Sequence, residues 1–136
     1  MTTTAQNIAT VQEIYAAFGR QDVPAILERL HPSVAWEFHS ADHGIPWLTP
    51  GTGREHALRF FQTMAGMDLR GFTVHAVMGD GPWVVGLVAV EFVNPATGVS
   101  VREPMEAHVW RLEDGRVVGM RHAADTYAHR LAAGLR

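Results

Sequence analysis

The residues best suited to chemistry are two histidines and two carboxylates in the last quarter of the chain. Glu106 and His108 alternate with Trp110 along one apolar segment, and His122 and Asp125 follow on the next. Alternate residues of a β-strand share one face, so the first three side chains would point the same way. A titratable group within an apolar strand costs free energy unless it is paired or used. Because histidine takes up and releases protons near neutral pH, the pattern predicts a catalytic proton-transfer site made of these four titratable residues.

Each of these residues also has a purely structural interpretation. His108 and His122 could be hydrogen-bonded core histidines that close a polar cluster. Asp125 could orient a histidine or activate a water. It also precedes Thr126 and a short Ala- and Arg-rich segment that could form a C-terminal helix, and there an aspartate is an ordinary N-cap. The sequence leaves these alternatives open.

The turn between the two segments decides which polar groups meet. Asp114-Gly115 is a strong hairpin signal. A two-residue loop would place His108 opposite Arg121. A three-residue loop would place Glu106 opposite His122, with His108 on the same face. We favour the three-residue loop because it gathers the polar side chains, whereas a shift of one residue would separate the two histidines.

The rest of the chain predicts the elements that position this hairpin. Residues 5–19 carry an apolar stripe at helical spacing, a short helix follows a cap at Asp22, and residues 34–39 read as a strand. A loop over residues 40–53 precedes a third helix, and four long β-rich segments begin at residue 69. Helices grouped on one face of an antiparallel sheet make an α+β domain. We therefore predict a cone-shaped α+β barrel, with three N-terminal helices packed on a strongly curved, mostly antiparallel sheet that encloses a pocket.

Five aromatic residues are candidates for lining that pocket and contacting a ring-bearing ligand. Large aromatic side chains at such positions either contact a ligand or form plain core. The candidate substrate-binding residues are Tyr15, Trp36, Trp47, Phe61 and Trp110.

The composition argues against several classes of function. The chain has 136 residues, of which 47% are hydrophobic, and we treat residues 1–136 as a single domain. It has no cysteine, which excludes disulfides and thiolate chemistry, and no lysine or basic stripe, which argues against a nucleic-acid partner. We find no segment typical of a membrane span or a secretion signal, so we expect a cytoplasmic protein with no membrane partner.

We expect neither a metal nor another cofactor. His39 and His43 are four residues apart, but that spacing suits a metal only on a helix, and Gly44 and Pro46 predict a loop. The glycine-rich turn at residues 79–82 is not followed by a helix, so it is not a phosphate-binding loop.

The order of elements resembles the nuclear transport factor 2-like superfamily over nearly the whole chain. That superfamily includes ketosteroid isomerases, limonene-epoxide hydrolases and SnoaL-type polyketide cyclases, as well as members without catalytic activity. The resemblance rests on four motifs, which are Val11 to Phe18, residues 22–37, Gly51-Thr-Gly-Arg-Glu before a helix, and residues 108–117 with Asp125 downstream.

The resemblance also suggests a role for each candidate residue. His108 stands where the isomerases place the protonated carboxylic acid of their oxyanion hole and where the cyclases have a histidine. Glu106 matches a cyclase glutamine near the substrate. His122 matches the cyclase's acid/base aspartate, and Asp125 matches a further aspartate there. Tyr15 falls within one residue of the isomerase's oxyanion tyrosine.

Two functional hypotheses follow. The first is a cofactor-independent enzyme that performs acid/base chemistry on a small, hydrophobic, carbonyl-bearing molecule, as an isomerase, an aldol-type cyclase, or a dehydratase or hydratase. Phe38 occupies the isomerase's general-base position, so the reaction would not follow the isomerase mechanism. The second is a non-catalytic domain that binds a hydrophobic molecule or supports oligomerisation. In either case, Val101, Val109 and Val117 on the expected outer face of the sheet suggest a homodimer.

Overall fold

The apolar stripe near the N-terminus forms helix α1, Thr4–Gly19, in the computed structural model, which describes residues 2–136. Helix α2, Val23–Glu28, begins after Asp22, whose side chain accepts a hydrogen bond from the Ala25 N–H as the sequence predicted. Two further helices are α3, Arg54–Ala65, and α4, Thr126–Ala132. No helix within the described residues is long and apolar enough to span a membrane.

Six strands form one sheet that curls around the helices without closing into a complete barrel. The strands lie in the order β2-β1-β6-β5-β4-β3, and only β1 and β6 run parallel. The predicted α+β cone fold is therefore confirmed. The strands are β1 Leu30–Trp36, β2 Gly51–Thr52, β3 Asp68–Asp80, β4 Trp83–Asn94, β5 Val99–Glu113 and β6 Arg116–Ala123.

Strand β1 ends earlier than predicted. Residues 34–39 were expected to be extended, but Glu37 and His39 have positive φ angles of 56° and 58°. These left-handed conformations are unusual for non-glycine residues and interrupt the alternation of a strand. The chain therefore leaves the sheet directly after Trp36.

The turn between β5 and β6 has two residues, so the preference for a three-residue loop was wrong. Glu113 pairs with Arg116, and both turn residues have positive φ, 50° at Asp114 and 81° at Gly115. Positive φ at both central residues is typical of the type I′ turn, whose twist matches that of the flanking strands.

A β-bulge then corrects the register. Leu112 pairs with Val117 but Arg111 pairs with Gly119, which leaves Val118 as an extra residue on β6. Beyond this bulge, His108 pairs directly with His122. The two histidines therefore lie on the same, concave face of the sheet, although neither simple loop predicted this pairing.

The concave face also forms the core. Alternate residues of β4 and β5 are buried against the helices, among them Val84, Val88 and Trp110. Val101 and Val117, which we expected on the outer face, are fully buried in this core. Val109 lies beyond a register shift between Glu103 and Glu106 that reverses which residues of β5 face the core, and it is only partly buried. It alone of the three therefore lies on the outer face.

Candidate active site

A cavity opens between the concave face of the sheet and the helices. Its volume is about 70 Å³, whereas one water molecule needs about 10–15 Å³. Most of its lining is apolar, and four titratable side chains lie on one side of it: Glu106, His108, His122 and His129. All five aromatic residues that were predicted to bind substrate line the same cavity, and their role in binding remains a prediction.

His122 is hydrogen-bonded to a carboxylate, Glu37, that was not among the predicted site residues. Glu37 is only 1% exposed, and its Oε2 atom lies 2.5 Å from Nδ1 of His122. Its Oε1 atom accepts a hydrogen bond of 2.9 Å from the His122 backbone N–H. Burial disfavours the charged form of His122, but the Glu37 carboxylate outweighs burial and raises the pKa of His122.

The other ring nitrogen of His122, Nε2, makes no hydrogen bond within the described part of the chain. The Nδ1–H group points to Glu37, so Nε2 is the position at which this ring can exchange a proton with a molecule in the cavity. A carboxylate on one nitrogen and a free second nitrogen is the arrangement that makes histidine an oriented acid or base.

His108 is fully engaged at both ring nitrogens. The Trp110 indole donates to Tyr15 Oη at 3.2 Å, and Tyr15 Oη lies 2.8 Å from Nδ1 of His108. Because an indole N–H only donates, the Tyr15 hydroxyl accepts from Trp110 and donates to His108. Nε2 of His108 then carries the ring proton and donates it to Glu106 at 2.8 Å.

The protonation states of this group follow from its contacts. Burial lowers the pKa of His108, and the Glu106 carboxylate only partly opposes this effect. Burial would raise the pKa of Glu106, but hydrogen bonds from His108 and His129 lower it well below its ordinary value. Burial raises the pKa of the Tyr15 hydroxyl. At neutral pH, Tyr15 and His108 are therefore neutral and Glu106 is ionised.

His129, from helix α4, forms a second buried group with Glu103 and Trp47. Its Nε2 atom hydrogen-bonds Glu103 and lies 3.6 Å from Oε1 of Glu106, and its Nδ1 atom lies 2.8 Å from the Trp47 indole nitrogen. Burial opposes a charge on this ring, whereas Glu103 and Glu106 favour it and raise the pKa of His129 to about 9. The Trp47 N–H, however, requires a lone pair on Nδ1, so we take the ring as neutral while this bond is made.

This tautomer also bears on metal binding. Glu103, Glu106 and His129 each place one potential ligand atom within 4.8 Å of the others. A histidine that binds a metal through Nε2 carries its proton on Nδ1 and donates it outward. Here Trp47 occupies Nδ1 as a donor, so the contacts favour a hydrogen-bonded cluster, and the absence of a metal remains a prediction.

Asp125 lies outside this cluster. Its side chain is exposed and accepts a hydrogen bond from the Ala128 N–H, which makes it the N-cap of α4. Its backbone N–H donates to Glu103 Oε2 at 3.0 Å. The structure therefore favours the capping interpretation of Asp125 over a catalytic one.

Three buried residues of the cluster were missed from the sequence: Glu37, Glu103 and His129. Strand alternation would place the Glu37 side chain on the face opposite to that of Trp36, away from the core. Its positive φ angle instead brings it to His122. His129 lies on the short C-terminal helix, whose packing no local pattern specifies. Glu103 has the same parity as Val101, which we expected on the outer face, so strand alternation missed its burial as well; a register shift between Glu103 and Glu106 brings both carboxylates to the concave face.

The close approach of Tyr15 to strand β4 requires a glycine. A Cβ atom at Gly86, which pairs with His108, would overlap the Tyr15 hydroxyl and lie 2.7 Å from its Cζ atom. We expect Gly86→Ala to displace Tyr15 and destabilise the protein by about 1–3 kcal/mol in urea unfolding. Gly71→Ala is the matched control, because a Cβ at Gly71 has no neighbour within 4 Å. Equal stability of the two variants would contradict this packing.

Together, the curled sheet, the helices and the apolar cavity define the α+β cone of the nuclear transport factor 2-like fold. Residues 11–120 match the model of the SnoaL-like domain, and the chain belongs to this family. No curated protein sequence matches the chain.

Several solved structures share the fold. An NTF2-like protein of unknown function from Burkholderia pseudomallei is 26% identical, with a TM-score of 0.78 and coverage of 98% of each chain. TerC, co-crystallised with polyporic acid, is 25% identical, with a TM-score of 0.73 over 95% of this chain and 98% of that chain. A proposed SnoaL-like polyketide cyclase from Jannaschia sp. CCS1 is 20% identical, with a TM-score of 0.77 over 100% and 96%.

Proposed function

We propose that this protein is a cofactor-independent acid/base enzyme that acts on a small, hydrophobic, carbonyl-bearing molecule, with His122 as its proton-transfer residue. The reaction would be an isomerisation, an aldol-type cyclisation, or a dehydration or hydration. One observation carries the proposal. Of the three clustered histidines, only His122 has a ring nitrogen without a partner in residues 2–136, and it borders an apolar cavity.

The Glu37–His122 pair can transfer protons in both directions. As an imidazolium, His122 donates from Nε2 to an oxygen of the bound molecule. As a neutral ring, it removes a proton from a carbon next to the carbonyl group. Glu37 fixes the proton on Nδ1 and stabilises the charged ring. The apolar lining strengthens these electrostatic interactions, because little water competes with them.

The proposal changes the role that the sequence suggested for His108. Both of its ring nitrogens are bonded inside the protein, so it has no free donor for a substrate oxygen. It is better described as a positioning residue, which orients the Glu106 carboxylate. Glu106 in turn contributes to the raised pKa of His122.

Two of the similar proteins agree with this class of ligand. One is described as a proposed polyketide cyclase and another was co-crystallised with polyporic acid. Both matches support a small organic molecule as the ligand of this chain.

Solvent deuterium exchange tests the proposal. Purified protein in D₂O is mixed with aromatic, alicyclic and terpenoid ketones, and loss of the proton signal at the carbon next to the carbonyl is followed by NMR. We expect the protein to accelerate exchange for one class of ketone above the buffer rate. No acceleration with any class would count against the enzyme proposal.

The second candidate is a non-catalytic domain that binds a hydrophobic molecule in the same cavity. The complete pairing of His108 and His129 within the protein favours it, because paired core histidines need no substrate. This candidate predicts saturable ligand binding without accelerated exchange.

We also propose a homodimer formed through the outer face of the sheet. Val85 pairs with Val109 and Leu87 with Ala107 there, which gives an apolar patch on the side away from the helices. Sedimentation at micromolar concentration should show twice the chain mass, and Leu87→Arg should give a monomer. Val99→Arg, at the exposed first residue of β5, is the control that should leave the dimer intact. A monomeric wild-type protein would overturn the dimer.

A further inference from the structure

The indole nitrogen of Trp36 is completely buried and has no hydrogen-bond partner, and it is the only completely buried side-chain N or O atom without one among residues 2–136. Trp36 is 2% exposed and lines the cavity. The two other buried tryptophans donate to protein acceptors, Trp47 to His129 and Trp110 to Tyr15. An unpaired buried donor costs free energy. We therefore expect a bound ligand to supply the missing hydrogen-bond acceptor.

Trp36 lies close to His122. It pairs with Met120 across the parallel β1–β6 ladder, and His122 is two residues further along β6 on the same face. Phe60 contacts both rings, with centroid distances of 5.6 Å to Trp36 and 5.0 Å to His122. A small molecule packed against Phe60 would therefore lie beside both Trp36 and His122.

The other donors around the cavity are already used. The Tyr15 hydroxyl is bonded to His108, and the ring protons of His108 and His129 point to carboxylates. Among the described residues, the Trp36 N–H is therefore the fixed donor that remains for an oxygen of the ligand.

We propose that the Trp36 N–H binds the carbonyl oxygen of the ligand and selects ketones over hydrocarbons of the same shape. The assignment rests on the proposed function, because it places the substrate oxygen next to His122. When Nε2 of His122 takes a proton from the adjacent carbon, the C–H electron pair forms a carbon–carbon double bond and the carbonyl pair moves to oxygen. The Trp36 N–H then stabilises this enolate oxygen until the proton is returned.

A matched pair of ligands tests the proposal. Wild-type protein labelled with ¹⁵N is titrated with 1-indanone and with indane, which has the same ring system without the oxygen. We expect indanone to shift the Trp36 indole resonance, identified by its loss in Trp36→Phe, and indane to leave it nearly unchanged. Trp36→Phe should weaken indanone binding about tenfold, the usual effect of one lost hydrogen bond, without weakening indane binding to the same extent.

A shape-preserving variant separates the hydrogen bond from packing. Trp36→Phe leaves space beside Phe60 and Phe61, whereas benzothienylalanine at position 36 keeps the bicyclic shape and lacks the N–H. This variant should lose the preference for indanone and remain at least as stable as the wild type, because it removes an unpaired donor. Trp83→Phe, at an exposed tryptophan, is the control that should change neither affinity.

The outcomes distinguish this inference from the proposed function. Indanone that binds without moving the Trp36 resonance would overturn the inference, as would a benzothienylalanine variant that still prefers indanone, or an absence of saturable indanone binding. A Trp36-dependent preference for ketones, combined with unchanged exchange in a His122 variant, would instead uphold the Trp36 assignment and reject the catalytic role of His122.

Discussion

Replacing His122 with glutamine should slow deuterium exchange of the active ketone by a factor of about 10²–10⁴, the usual contribution of a positioned acid or base. A glutamine amide can still donate a hydrogen bond to Glu37, so the carboxylate keeps a partner. It cannot, however, accept and return a proton. The loss should therefore appear in the rate of exchange, while ligand affinity changes much less.

Two controls make this result specific. His75→Gln alters an exposed histidine whose ring hydrogen-bonds the Pro104 carbonyl, and the exchange rate of this variant should equal that of the wild type. His108→Gln should have a smaller effect than His122→Gln, because His108 acts through Glu106 and has no free nitrogen. If His108→Gln abolished exchange and His122→Gln did not, the roles given to the two histidines would be reversed.

The shared face of the two histidines illustrates what strand periodicity can predict. A three-residue loop keeps His108 and His122 on one face, and so does a two-residue loop followed by a one-residue bulge, because side chains alternate with a period of two. The sequence motif Asp114-Gly115 favours the tight turn, but no local signal marks Val118 as the bulged residue. The face was therefore predictable, whereas the partner of each histidine was not.

The carboxylate partners of the histidines could not be predicted from local sequence patterns. Helix α1, the cap at Asp22 and the α+β order follow from local patterns, and they are observed. Glu37 reaches His122 only through a left-handed conformation, which costs a non-glycine residue of order 1 kcal/mol and is held by tertiary contacts. His129 reaches Glu103 from 26 residues away in sequence. These contacts depend on packing that single-residue patterns do not encode.

Replacing Glu37 should have the largest effect on stability. Glu37→Ala would leave the Nδ1–H and backbone N–H groups of His122 without an acceptor in a buried site. Breaking a buried charge pair by removing one partner typically costs about 3–5 kcal/mol, and we expect a loss of this size in urea unfolding. Glu91→Ala is the matched control, because Glu91 makes a surface contact of 3.9 Å with Arg102 and should contribute less than about 1 kcal/mol.

The pH dependence of the stability lost on replacing Glu37 tests whether Glu37 and His122 form an ion pair. Because Glu37 raises the pKa of His122 in the folded state, the protonated ring stabilises the fold most below its unfolded pKa of about 6.5. This stabilisation is lost as the pH rises through the folded pKa. Glu37→Gln removes the negative charge but keeps the size of the side chain, so its deficit relative to the wild type should be larger near pH 6 than near pH 9. A deficit that does not vary between these pH values would mean that His122 is not charged in the folded protein.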